Sequence, residues 1–174
     1  MELISDIIKM LLPAILVLYG MYITVKSFIN SQKSKAILES KMANQNASLT
    51  MRLQAYERIC LLLERITPSN LLLRLNAKAI SVADFHQVLV NEIREEFNHN
   101  LSQQVYMSDM AWNHTRNAVE QTLSLVNDSA QNLDQNANGV ELSKSILKTV
   151  INQDNNSIEK ALAFIKNELR QDLY

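Results

Sequence analysis

Glycine and proline are nearly missing from this chain, with two of each in 174 residues. β-hairpins draw their tight turns from Gly-rich pairs, so the scarcity argues against them and for an all-α fold. Cysteine occurs once, at Cys60, which excludes an intrachain disulfide. That thiol sits in the apolar run Ile59-Cys60-Leu61-Leu62-Leu63, where a buried, inert side chain is expected. With Gly20 and Gly139 as the only glycines, no Gly-rich phosphate loop can form. His86, His99 and His114 offer no His-x-x-x-His pair for zinc, and no serine lies in a nucleophile elbow. The part beyond the hydrophobic run is neutral overall and has no basic patch interleaved with aromatics, so nucleic acid is not an expected partner. No cofactor and no enzymatic activity are expected.

Charge is also missing from Met10 to Val25, and Leu3, Ile4, Ile7 and Ile8 extend that run toward the N-terminus. As a helix, Leu3 to Val25 would reach about 34 Å, enough for a hydrocarbon core of roughly 30 Å. Pro13 near its start is tolerated there. A cleaved signal peptide fits poorly, because two acids stand in the first nine residues and no A-x-A site follows Gly20. An in-plane amphipathic helix would need a polar face, which Leu11 to Val25 lacks. A buried core helix fits less well than a single span. Glu2, Asp6 and Lys9 precede the run, with Lys9 expected to snorkel to the outer face. Lys26, Lys33, Lys35 and Lys41 follow it, with Glu39 the one acid among them, so the C-terminal side is expected in the cytoplasm.

Residues 1–27 therefore read as a transmembrane helix with a short outer tail, and 28–48 as a polar helical stalk. Residues 49–174 read as a cytoplasmic bundle of about five helices. A heptad seam through Leu38, Met42, Gln45, Leu49, Arg52, Tyr56, Ile59 and Leu63, spoiled by Gln45 and Arg52, leaves a coiled coil open. Pro68 stops the helix that starts at Leu49, with Thr67 as cap of the next. Ser81 with Asp84 approximates a capping box before the stripe Val82, Phe85, Leu89, Ile93 and Phe97. Asn98 to Met107 reads as a connection. Ser108 caps a helix whose face is Trp112, Val119, Leu123, Val126, Ala130 and Leu133. Asp134 to Gly139 is the clearest break, before a short helix marked by Leu142, Ile146 and Val150. Asn156 and Glu159 cap a last helix with Ile158, Leu162, Ile165 and Leu169 on one side.

Charge is divided unevenly. Lys26 to Ile80 holds nine Lys/Arg against three Asp/Glu, net +6, and Ser81 to Tyr174 holds seven against thirteen, net −6. Attraction between the halves, within the fold or between protomers, is expected for the distal arginines. Near the membrane, Lys26, Lys33 and Lys35 are candidate contacts for anionic lipid.

One constellation has metal-ligand spacing. Glu96-Phe97-Asn98-His99 is the Glu-x-x-His of di-iron bundles, and Glu92 is one turn earlier. A ferritin-like site needs a second such motif, but Ala83 and Ala111 stand three residues before His86 and His114. Glu92, Glu96 and His99 are thus weak metal candidates, and a solvated charged face is the plainer reading. Trp112 and Arg116 are candidate partner-facing residues, as are Glu57, Arg58 and Arg94. The five Asn-x-Ser/Thr sequons, at Asn46, Asn100, Asn113, Asn127 and Asn155, arise by chance in an Asn-rich chain.

Leu53-Gln54-Ala55-Tyr56-Glu57-Arg58, Leu63-Glu64-Arg65-Ile66-Thr67-Pro68 and Asn70-Leu71-Leu72-Leu73-Arg74 form one distinctive block, and Glu92 to Gln104 another. With the N-terminal hydrophobic helix, they resemble a family of uncharacterised single-pass membrane proteins of the Bacteroidota type. The resemblance implies a bacterial inner-membrane protein with a cytoplasmic helical domain, and it carries no catalytic residues. The function expected is that of a membrane-anchored interaction or scaffold module with a protein partner or a second copy. A metal-dependent or hydrolytic enzyme using Glu92, Glu96 and His99 is one alternative, and an anionic-lipid-engaging surface protein another.

Overall fold

Six α-helices carry the described residues, and their ends follow from local chemistry. The structure, a computed structural model, describes residues 2–75, 77, 81–134, 137–152 and 156–173, without the side chains of 2–10, 14, 172 and 173. The expectations for the side chains of Glu2, Asp6 and Lys9, and for the sequon at Asn155, lie outside the described residues. α1 is Glu2–Ile66, α2 Pro68–Arg74, α3 Val82–Asn100, α4 Asp109–Gln131, α5 Gly139–Asn152 and α6 Ser157–Leu173. A 3₁₀ helix, Leu101–Tyr106, joins α3 to α4. Among the described residues there is no strand, only an isolated antiparallel bridge between Ser81 and Asn138.

The chain divides after Leu49 into two units. In the first, the described side chains from Leu11 to Ser48 are exposed. Thr24 Oγ1 donates to the Gly20 carbonyl at 2.8 Å, so this hydroxyl is satisfied within the helix. Lys26 lies over the Tyr22 ring, 5.6 Å from its centroid.

The second unit, from Thr50, holds the core. Tyr56, Ile59, Leu62, Leu63 and Ile66 of α1 are buried there, at the spacing that turns one helical stripe inward. Val82, Phe85, Leu89 and Ile93 of α3 meet them, with Leu142 and Ile146 of α5 and Ile158, Leu162 and Ile165 of α6. α4 packs against α3, α5 and α6, and α2 packs against α5.

Three helix starts match the expected caps. Ser81 Oγ accepts from the Asp84 N–H at 3.1 Å, Ser108 Oγ from the Ala111 N–H at 3.0 Å, and Asn156 Oδ1 from the Ile158 N–H at 3.1 Å. α5 has a reciprocal capping box instead. Asn138 Oδ1 accepts from the Glu141 N–H at 3.1 Å, and Glu141 Oε2 accepts from the Asn138 N–H at 3.2 Å.

Three local expectations are corrected. Thr67 makes no side-chain cap to α2, because its hydroxyl donates back to the Leu63 carbonyl at 2.9 Å. The Leu63 carbonyl also accepts the Thr67 N–H at 3.1 Å, whereas the Glu64 carbonyl, which Pro68 cannot serve, accepts from Asn70 Nδ2 at 2.8 Å. The connection expected over Asn98 to Met107 is mostly helical: α3 runs to Asn100, and the 3₁₀ helix follows. Val119 and Val126 of the expected face are buried, but the rest of the buried line is Ala111, Thr115, Ala118, Thr122 and Ser129, and Trp112, Leu123, Ala130 and Leu133 are half-buried at its margin. Thr115 and Thr122 can be buried because each hydroxyl donates to a carbonyl of its own helix, Ala111 at 2.9 Å and Ala118 at 2.8 Å.

Candidate functional site

A second line of residues runs beside the buried stripe on both α1 and α3, and between these flanks lies an open groove of about 950 Å³. α1 supplies Gln54, Glu57, Arg58, Leu61 and Arg65, one helical face at i, i+3, i+4, i+7 and i+11. α3 supplies Glu92, Glu95, Glu96, His99 and Asn100. Asn100 is buried and donates to the Glu96 carbonyl at 2.9 Å, which closes the α3 end.

The charges fall into two sets. Glu96 is the most enclosed carboxylate, and Arg65 Nε reaches its Oε2 at 3.2 Å. Glu92 accepts from Arg74, which ties α2 to α3. Burial without a partner would cost these carboxylates dearly, so the arginines are expected where they stand. Glu57, Arg58, Glu95 and His99 are exposed and, among the described residues, have no ion pair. Leu61 lines the same groove from α1, with 54% of its surface exposed.

The sequence-predicted residues separate accordingly. Glu57 and Arg58 line the groove, whereas Arg94 is exposed outside it. Glu92, Glu96 and His99 line it together, but both carboxylates are engaged by arginine. Among the described residues no three His, Cys, Asp or Glu side chains are gathered to hold a metal ion. Trp112 is half-buried and stacks on Phe97 with centroids 5.5 Å apart. Arg116 is exposed and pairs with Glu120 of its own helix at 3.3 Å. Lys26, Lys33, Lys35 and Lys41 are exposed. The attraction expected for the distal arginines takes the form of Arg52 with Glu168, Arg65 with Glu96 and Arg74 with Glu92.

A polar cluster that sequence reasoning missed centres on Glu168. Its Oε1 accepts from the buried Tyr56 hydroxyl and its Oε2 from Ser108 Oγ at 2.7 Å, with Arg52 Nη2 4.0 Å from Oε1. Burial pushes the Tyr56 hydroxyl above the ordinary tyrosine range, and the Glu168 carboxylate adds to the rise. The available signal was a glutamate at i+3 from Ile165, on the margin of the α6 stripe. Two histidines are structural: His86 Nε2 meets Asn127 Oδ1 at 2.7 Å, and His114 stacks on Phe164 at 4.5 Å.

Cys60 is half-buried, and burial pushes its thiol up, partly offset by Lys166. Because the thiolate is the nucleophile, iodoacetamide should modify Cys60 more slowly at neutral pH than it modifies an unstructured cysteine peptide. Equal rates would show that Cys60 is neither shielded nor shifted.

Among the described residues, α1 alone is long and apolar enough to cross a membrane, with a window of mean hydropathy 1.7 and none of that window buried. No curated protein and no solved structure matches the chain. Residues 2–172 match a family described as a family of unknown function, DUF7935, and the chain belongs to that family.

Proposed function

We propose that the chain is a single-pass protein of the bacterial inner membrane, of the Bacteroidota type, whose cytoplasmic helical bundle is an interaction or scaffold module. The observation that carries this reading is the groove between α1 and α3, where Glu57, Arg58, Glu95 and Leu61 stay open beside ion-paired walls. An exposed leucine among open charges, beside walls whose other carboxylates are already paired, is surface that a partner can cover. The apolar N-terminal stretch of α1 supports the membrane span, and the lysines that follow it support a cytoplasmic C-terminal side. Exposed Lys26, Lys33 and Lys35 favour an accessory contact with anionic lipid.

Crosslinking the full chain in its native membrane, followed by affinity purification, should recover a stoichiometric partner or a homo-oligomer. Recovery of monomer alone would overturn the module reading.

A further inference from the structure

We propose that the groove docks a basic, amphipathic segment of a separate protein, with Lys or Arg side chains on Glu57 and Glu95 and an apolar side chain on Leu61. This rests on the module reading and names the chemistry of its partner.

The first support is charge. The groove is lined by four glutamates and two arginines. Arg65 is spent on Glu96, and Glu92 is already matched by Arg74 from α2. What remains open is Glu57 and Glu95 against Arg58, an acidic excess at the surface a partner would touch. Two open carboxylates against one open guanidinium favour a cationic partner over an anionic one. A cationic side chain meets two acceptors that need no existing bond broken.

The second support is apolar surface. Leu61 is 54% exposed among charged neighbours. At the α3 end, His99 and Asn100 are followed directly by the 3₁₀ helix, which buries none of its side chains and leaves Leu101, Val105 and Tyr106 exposed. Acid on the walls with leucine in the same groove, and exposed apolar residues next in the chain, is the complement of a segment that carries cations and apolar side chains on one face. A purely polar ligand would leave Leu61 uncovered.

The test uses the full chain in nanodiscs of neutral phosphatidylcholine, so that lipid charge does not compete. The probe is a fluorescent helical peptide with Lys and Leu on one face, and its counterpart carries Glu for each Lys. Anisotropy should show the basic peptide binding, and the double variant Glu57→Lys/Glu95→Lys should weaken it about tenfold. Arg58→Gln should tighten it. Both changes fall on exposed side chains without ion pairs, so far-UV circular dichroism melts should be unchanged. Binding of the basic peptide that ignores the double reversal, no binding at all, or tighter binding of the acidic peptide would each overturn the proposal. So would a dimer by light scattering that the double reversal turns into monomer, because a second copy would then be the occupant. If crosslinking in membranes still recovers a partner, these failures fall on the partner's chemistry and leave the module reading standing.

Discussion

Phe85→Ala should lower the stability of the helical unit by about 3–5 kcal/mol, and Gly139→Ala by about 1–3 kcal/mol, but the two together should cost less than their sum. Phe85 is fully buried at the start of α3, so its removal takes away transfer energy and leaves a cavity. Gly139 opens α5 against the same ring. A Cβ there would stand 3.1 Å from Phe85 Cγ and Cβ and 3.0 Å from the Ala77 carbonyl oxygen. The oxygen belongs to the backbone and cannot swing aside, so alanine forces α5 outward. Without the Phe85 ring, one of the opposing atoms is gone and the added methyl fills part of the cavity. Urea unfolding of the four proteins, followed by circular dichroism, measures the coupling. Strict additivity would mean that α5 has room to shift and that Gly139 is not held by close approach.

Tyr56→Phe should cost about 1–2 kcal/mol at neutral pH and should lessen the alkaline dependence of stability. The folded unit prefers the neutral hydroxyl, because the ring is buried and its proton is donated to Glu168. An unfolded tyrosine ionises near pH 10, roughly. The folded value is raised above that, so the stabilisation is complete below pH 10 and is lost as pH climbs through the folded value. Stability of the native chain should therefore fall above pH 10, and the Phe variant should fall less steeply. Glu168→Ala should be more damaging than Tyr56→Phe, at about 1–3 kcal/mol for the buried Tyr56 donor alone, since Ser108 also loses its acceptor. A Phe variant with the wild-type alkaline slope would mean that another tyrosine or lysine controls it.

What could be read from the sequence was what is local. Ser81, Ser108 and Asn156 cap their helices because a cap depends on residues two or three positions away. The α3 stripe was visible for the same reason, since large apolar residues repeat at helical spacing. The α4 face is legible only at Val119 and Val126, because the rest of its buried line is alanine and hydroxyl residues, whose burial depends on close neighbours rather than on their own hydrophobicity. Thr67 was misassigned because the same hydroxyl can serve the helix before it or the helix after it. Glu57, Arg58 and Arg94 were equally plausible as single residues. Only the packing of α1 beside α3 gathers the first two into the groove and leaves Arg94 out. The Tyr56–Glu168 bond joins positions 112 apart, a distance over which no spacing rule operates.

That bond also bears on the order in which the unit is made. Tyr56 lies on the first helix of the core and Glu168 on the last, and α4 packs against that same last helix. Until α6 has been synthesised, the Tyr56 hydroxyl has only water to bond and α4 lacks one of its packing partners. The earlier helices can form as they emerge, but they wait with apolar surface open, so the interval before α6 arrives is when this unit is most exposed to wrong contacts.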